Sequence, residues 1–152
     1  MNDNGEPSVI EYNCRMGDPE TEVVVPRIKS DLLDLLEAVG KQELHKASFE
    51  LDPRIATTVM MVAGGYPEDY EKGHEVSGLE QVKDSIAFHA GTKQDGDKVL
   101  TNGGRLIAVT SFGDTIGEAT SKSFSNAEKI NYKGKYYRKD IGKDLIAYMQ
   151  VK

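Results

Sequence analysis

Residues 54–62 are Arg54-Ile-Ala-Thr-Thr-Val-Met-Met-Val62, a strongly apolar run that predicts a β-strand buried on both faces. The run is followed by Ala-Gly-Gly-Tyr-Pro at 63–67, which is typical of a turn. Residues 85–89 and 98–101 also have strand character, and each run leads into a glycine turn. Short strands separated by glycine turns predict a β-rich unit in the second part of the chain.

A hairpin and a covering helix complete this predicted unit. Asn102-Gly103-Gly104 separates the strand at 98–101 from the apolar run at 105–110, and an Asn-Gly pair in that position favours a hairpin. Residues 114–130 predict a helix, because small and apolar residues recur there at helical spacing. Its inner face would carry Ile116, Ala119, Ser123, Phe124, Ala127 and Ile130.

The first part of the chain predicts one strand and two helices. Residues 8–15 alternate between polar and apolar side chains as a strand does. Asp18 suits the N-cap of a helix whose first residue is a proline, and this helix should end near Pro26. A second helix is predicted from Ser30 to Gly40, where leucines recur at helical spacing.

The Asn4-Gly5 pair before the predicted strand favours a hairpin, which needs a partner strand upstream. The chain as given offers nothing upstream to pair with, so we expect it to be a truncated piece of a longer protein. The alternative, a short edge strand with a frayed end, stays open at this point.

Composition limits the classes of function. The chain has 152 residues, about one ordinary domain, and its 19 Lys and Arg against 25 Asp and Glu give a net charge of −6. This balance argues against a nucleic-acid binder, which would need a basic face, but it allows one phosphate group held by an arginine and backbone amides. Cys14 is the single cysteine, which excludes an internal disulfide and fits a cytoplasmic setting. No run of about 18 apolar residues is present, so we expect no membrane span, and we expect no secretion signal.

Three polar side chains lie on one face of the predicted strand at 8–15. Glu11 and Asn13 would present two oxygen donors side by side, and Mg²⁺ takes such oxygens while sharing its shell with nucleotide phosphates. Arg15 follows on the same face, where it could hold a phosphate or carboxylate oxygen. On spacing alone, the polar solvent face of an edge strand is the interpretation that we favour, and a metal site is the alternative.

Arg138 has two interpretations that the sequence leaves open. It could form an ion pair with Asp140, which we favour, or it could reach a substrate phosphate. The glycine pairs after the strands are turns in the simpler interpretation, although such turns can also expose amides to a phosphate.

The run Val9-Ile-Glu-Tyr-Asn-Cys-Arg-Met-Gly-Asp-Pro-Glu-Thr21 closely resembles a signature of the glycinamide ribonucleotide synthetase family. The resemblance continues, in the family's order, through residues 30–32, 63–67, 88–92, 101–105 and 137–142. Members of the family are ATP-grasp ligases of purine biosynthesis, which join glycine to 5-phosphoribosylamine through a glycyl phosphate intermediate and convert ATP to ADP.

The resemblance implies roles for particular residues. Glu11 and Asn13 match the family's Mg²⁺ (or Mn²⁺) ligands, and Arg15 matches a catalytic arginine for substrate carboxylate or phosphate. Gly17 and Asp18 belong to the same motif and would shape the glycine pocket. Arg138 stays a candidate substrate-binding residue on the sequence argument alone.

The resemblance also implies the domain organisation, an α+β chain in two parts. Residues 1–48 would be the last strand and helices of an ATP-grasp domain, and residues 49–152 would be a small, mostly antiparallel or barrel-like C-terminal domain with a covering helix. The loops that hold the nucleotide are absent from this chain, so we expect the chain alone to be inactive. The whole protein would be a cytoplasmic monomer that uses glycine, 5-phosphoribosylamine and ATP, and exposed edges could make the fragment self-associate.

Two alternatives remain. The chain could be a non-catalytic module that binds a phosphorylated sugar or a partner domain. It could also belong to a related ATP-grasp ligase or carboxylase, although the string at 15–20 resembles the glycine-ligating family more closely.

Overall fold

A computed structural model gives the structure of the chain and describes residues 2–149. The strands are β1 (Asn2–Asp3), β2 (Glu6–Pro7), β3 (Ile55–Val62), β4 (Glu75–Val76), β5 (Ser85–His89), β6 (Thr92–Asp95), β7 (Lys98–Thr101) and β8 (Arg105–Gly113). The α-helices are α1 (Thr21–Val24), α2 (Leu32–Gly40), α3 (Ile116–Lys129) and α4 (Lys143–Met149). Short 3₁₀ turns lie at Val25–Arg27, Leu44–Lys46 and Leu79–Gln81.

An antiparallel sheet with the order β3-β8-β5 forms the centre of the fold. The central strand β8 is buried without interruption from 106 to 111, since it has a neighbour on each side. The predicted strand at 54–62 is confirmed as β3, but its burial on both faces was wrong. Val59 and Met61 are fully buried, whereas the residues that alternate with them are partly exposed, because the face that carries Met60 and Val62 opens into a cleft.

Helix α3 covers one face of this sheet, which confirms the predicted helix at 114–130. The Ser123 hydroxyl lies between two strands, 2.9 Å from Ser111 Oγ and 3.1 Å from the Thr57 carbonyl. Helix α1 lies against the opposite face, where Thr110 Oγ1 donates to the Glu22 carbonyl at 2.8 Å. The sheet is therefore a layer between α3 and the segment around α1.

The hairpin predicted at Asn102-Gly103-Gly104 is wrong. Strand β7 pairs with β4 and β6 in a second antiparallel sheet, and the glycine turn carries the chain from that sheet to β8. The reason is a close approach of two loops, since a Cβ on Gly91 would lie 2.7 Å from Gly103 Cα. A two-residue hairpin turn lies instead between β6 and β7, where Asp95 pairs with Lys98.

These strands and helices confirm an α+β fold with antiparallel sheets. Its described strands form two three-stranded sheets and a separate β1–β2 ribbon instead of a closed barrel. Within the described residues, no helix has the length and apolar character needed to cross a membrane.

The prediction of a strand at 8–15 is wrong, since these residues form no strand in the structure. Residues 8–13 have no regular structure and their side chains are exposed. The Asn4-Gly5 turn does form a hairpin, but its two short strands are β1 and β2. Among the described residues, no strand pairs with residues 9–13.

Both predicted helix starts are corrected by the structure. Asp18 does not cap α1, since the N-cap is Glu20 and the Asp18 carboxylate pairs with Arg105. Helix α2 is capped by Asp31, which accepts the Leu33 amide at 2.8 Å. Ser30 is not the cap, because its hydroxyl accepts the Glu50 amide at 2.7 Å.

The connection between the two parts of the chain is held by main-chain bonds. The Asp52 amide donates to the Arg27 carbonyl at 2.7 Å, and the Lys29 amide donates to the Glu50 carbonyl at 2.9 Å. Asp52 also forms an ion pair with Arg54, with an Nη2–Oδ2 distance of 2.6 Å. The hydrogen bond from Arg54 lowers the pKa of Asp52 from 3.8 to about 2.

This pair predicts a loss of stability in acid. Since the folded-state pKa of Asp52 lies below its ordinary value, the contribution is present above about pH 4 and is lost as the pH falls towards 2. We expect the free energy of unfolding, measured by urea titration across this pH range, to decrease less with falling pH in Asp52→Asn than in the unmodified chain. The matched control is Asp97→Asn in the β6–β7 turn, which should fall as the unmodified chain does. Equal slopes in Asp52→Asn and the unmodified chain would contradict the prediction.

Candidate functional site

A cleft of about 310 Å³ opens beside β3, on the sheet face opposite α3. We call it the arginine cleft, and the following residues line it: Asp18, Pro19, Met60, Val62, Tyr66, Arg105, Tyr136, Tyr137 and Arg138. Two residues predicted from the sequence, Asp18 and Arg138, thus come together here although they lie far apart along the chain.

Arg105 is a charged residue of the cleft that the sequence did not indicate as a site residue. It is the first residue of β8, and its Nη1 forms an ion pair with Asp18 Oδ2. Both side chains keep access to solvent, with 41% of Arg105 and 62% of Asp18 exposed. The pair can therefore exchange with a charged ligand that enters the cleft.

Tyr66 fixes the main chain next to Arg105. Its ring lies so close to Gly104 that a Cβ there would be 2.2 Å from Tyr66 Cδ2. The glycine preceding Arg105 is therefore required by packing. An arginine directly after a glycine pair is the signal in the sequence that could have indicated this position.

Arg138 lies in the cleft and forms the ion pair that we favoured. Its Nε and Nη2 donate to the two carboxylate oxygens of Asp140 at 3.0 and 2.7 Å. These hydrogen bonds raise the pKa of Arg138 and lower that of Asp140. The guanidinium is thus held in place while its other N–H groups remain for a ligand.

Glu11 and Asn13 lie together outside the arginine cleft. Asn13 Nδ2 lies 3.4 Å from Glu11 Oε1, and both side chains are exposed. Rotating the Asn13 amide by a half-turn would place two oxygens side by side, near the separation of about 3 Å between adjacent ligands of Mg²⁺. The described residues contain no group of three or more His, Cys, Asp or Glu side chains that could hold a metal. The donor pair fits Mg²⁺ as two ligands of a shell that water and phosphate would complete.

The remaining predicted residues occupy the segment between this pair and the cleft. Arg15 is exposed, and its Nη1 donates to the Met16 carbonyl at 3.0 Å. The Gly17 amide donates to Glu20 Oε2 at 2.7 Å, which closes a turn just before Asp18. Arg15 and Gly17 thus contact residues of their own segment, and their roles at the site stay predictions.

Comparison with known proteins bears on what this arrangement does. The sequence model of the family described as "Phosphoribosylglycinamide synthetase, C domain" matches residues 56–144. The chain belongs to this family. The match begins within β3 and ends within α4, so the family's C domain includes both sheets and the covering helix α3.

Relatives of this C-domain chain carry consistent names. A phosphoribosylamine–glycine ligase of Vibrio cholerae is 43% identical over 154 residues, which cover all of this chain and 36% of the relative. A ligase of the same name from Yersinia pestis is 45% identical over 147 residues, covering 95% of this chain and 34% of the relative. A bifunctional purine biosynthetic protein of Pichia angusta is 46% identical over 140 residues, covering 91% of this chain and 18% of the relative.

A solved structure agrees with these relatives. The crystal structure of the phosphoribosylamine–glycine ligase of Thermotoga maritima matches with a TM-score of 0.72 and 36% identity, covering 92% of this chain and 34% of that chain. The chain thus spans about a third of the length of the ligases it matches. The resemblance seen in the sequence is confirmed.

Proposed function

We propose that the chain is the C-terminal part of a phosphoribosylamine–glycine ligase, which joins glycine to 5-phosphoribosylamine at the expense of ATP in purine biosynthesis. The observation that carries the proposal is the Asp18–Arg105 contact, which connects the run at 9–21 to the C domain in one cleft. Both segments resemble the glycinamide ribonucleotide synthetase family. The whole protein would be a cytoplasmic monomer.

The arginine cleft would bind the phosphoribosyl substrate and glycine. Arg105 and Arg138 supply planar guanidinium groups that suit a phosphate, and neither is deeply buried. Asp18 supplies a carboxylate that would hold the ammonium group of glycine, next to the turn formed by Gly17. Substrate charges would replace the Asp18–Arg105 ion pair.

Activation of glycine would take place beside residues 11–15. Glu11 and Asn13 would hold Mg²⁺ or Mn²⁺, which when bound neutralises charge between the ATP phosphates and the glycine carboxylate. Arg15 would orient the reacting carboxylate as the catalytic arginine. The protein's part in such a reaction is chiefly to position the reactants, since the substrates and ATP supply the reacting groups.

The exposed run at 8–13 supports our assignment of residues 1–48 to the end of an ATP-grasp domain. Val9, Ile10 and Tyr12 are 69%, 75% and 89% exposed, which is unusual for apolar residues in a strand-like pattern. A neighbouring strand from the rest of the polypeptide would cover them. Since the nucleotide-binding loops would come from that part too, we expect no ATP turnover by this chain alone.

A chimera tests the proposal. In it, this chain replaces the corresponding third of the Vibrio cholerae ligase, and we expect ligase activity to be retained. Arg105→Ala should raise KM for 5-phosphoribosylamine about ten- to a hundredfold, with a smaller change in kcat, because it removes a charge-assisted bond to substrate. Arg105→Lys should recover part of the loss, and the surface control Lys93→Ala should have no effect.

The second candidate function is a phosphosugar-binding module without catalysis, which the two arginines of the cleft favour for the isolated chain. Calorimetry would measure binding of ribose 5-phosphate to the chain. A chimera that unfolds in one transition like the parent enzyme but lacks activity would contradict the ligase proposal and favour this alternative.

A further inference from the structure

A second cleft adjoins the arginine cleft and belongs to no site described so far. It has a volume of about 630 Å³, and we call it the lysine cleft after its lining: Asn131, Lys135, Tyr136, Tyr137 and Lys139. Tyr136 and Tyr137 line both clefts, so the tyrosine pair forms a shared wall. Arg138 and Lys139 follow each other in the chain but line different clefts.

The lysine cleft lies in a basic segment of an acidic chain. Residues 129–143 contain six of the 19 Lys and Arg residues and one acidic residue, Asp140. Lys133 pairs with Glu71 at 2.7 Å, and Arg138 pairs with Asp140 at the same distance. Lys139 is exposed and has no ion pair or hydrogen bond to its side chain among the described residues, so its charge is available to a ligand.

Lys135 provides a second cation, and its position is fixed. Its Nζ donates to the carbonyls of Glu128 and Ile130 at 3.0 and 2.7 Å, at the end of α3. One of its three N–H bonds is left for a ligand. Burial lowers the pKa of Lys135, and an anion alongside would favour its charged form.

Tyr136 supplies an exposed aromatic face at a fixed position. Tyr136 is 59% exposed. Its main chain is fixed by two hydrogen bonds with Val62: its carbonyl accepts the Val62 amide at 2.9 Å, and its amide donates to the Val62 carbonyl at 3.2 Å. Tyr137 is buried, and the centroid of its ring lies 5.6 Å from Lys135 Nζ. Asn131 Nδ2 donates to the Lys129 carbonyl, which leaves its Oδ1 acceptor for a ligand.

We propose that the lysine cleft binds a nucleotide, with the phosphate at Lys135 and Lys139 and the base stacked on Tyr136. The volume is in the range of small-molecule sites, about 300–1,000 Å³. Two cations, an exposed ring and an unpaired amide oxygen are the groups that a phosphate, a planar base and its polar edge require. The proposal does not depend on the ligase activity, since it rests on residues 131–139 of this chain.

Calorimetry on the 152-residue chain with AMP tests this proposal. AMP should bind saturably, and Lys139→Glu should weaken binding at least tenfold. Lys93→Glu makes the same charge change on the exposed part of β6 and should have no effect. Arg105→Ala should leave AMP binding unchanged, because Arg105 lines the arginine cleft and is not among the described residues that line the lysine cleft.

Four outcomes would overturn the proposal. AMP could fail to saturate, or Lys93→Glu could weaken it as much as Lys139→Glu does, which would show general charge attraction. Loss of AMP binding in Arg105→Ala with retention in Lys139→Glu would place the nucleotide in the arginine cleft. Ribose 5-phosphate and inorganic phosphate serve as comparison ligands that lack a base. If either binds as tightly as AMP, the base is not stacked on Tyr136.

Discussion

Glu11→Ala should remove most of the ligase activity of the chimera, a loss of about a hundredfold or more in kcat/KM, while its stability stays unchanged. The Glu11 side chain is exposed and contacts Asn13 at 3.4 Å, so truncation leaves no cavity in a packed core. Its proposed role is to hold a divalent cation in the reaction, and loss of a charged group that stabilises a transition state costs about this much. Raising the Mg²⁺ concentration should recover part of the activity.

Two further variants separate the charge of Glu11 from its position. Glu11→Gln keeps an oxygen ligand but loses the negative charge, so its activity should lie between those of the parent chimera and Glu11→Ala. Glu6→Ala removes the same charge five residues earlier and should have no effect on activity. Full activity of Glu11→Ala at ordinary Mg²⁺ would show that the metal assignment is wrong.

The parts of the fold that the sequence predicts well depend on residues that are close together along the chain. The runs at 85–89 and 98–101 match β5 and β7 residue for residue, because turn-forming residues bound them on both sides. Helix α3 lies within the predicted 114–130 because its apolar periodicity is a local property. Local signals of this kind identify strands and helices but say nothing of which strands become neighbours.

Strand pairing depends on contacts that the sequence does not reveal. The Asn102-Gly103-Gly104 turn has the composition of a hairpin, yet the close approach of Gly91 and Gly103 directs β8 into a different sheet from β7. The run at 8–15 has the alternation of a strand, but no strand in the described part of the chain pairs with residues 9–15. Alternation therefore predicts which residues could form a strand, and the presence of a neighbouring strand decides whether they do.

The same distinction applies to the candidate site. Glu11 and Asn13 could be placed side by side from their spacing alone. The Asp18–Arg105 pair could not, because it requires that the beginning of β8 lie next to the segment before α1. Tyr66 belongs to the cleft for a similar reason, since its ring packs on Gly104 from a distant loop.

The loop that carries Tyr66 leads to a large expected effect on stability. Gly65 has φ of +97°, and a Cβ at this position would lie 2.1 Å from the Asp69 carbonyl oxygen. Gly65→Ala would thus combine left-handed strain with a clash against main chain, which cannot move as a flexible side chain does. We expect the free energy of unfolding to fall by about 3–5 kcal/mol, the sum of typical costs for strain and overpacking.

Gly73→Ala separates the clash from the strain. Gly73 has φ of +83°, and a Cβ there would meet no atom within 4 Å. Its substitution should therefore cost only the left-handed strain, about 1–2 kcal/mol. Urea unfolding of the two variants measures the difference, and equal losses would show that the loop around Gly65 relaxes freely. A loop that cannot relax at Gly65 would also hold the neighbouring Tyr66 ring against Gly104. Because Gly104 precedes Arg105, the rigid loop would keep Arg105 in position in the arginine cleft.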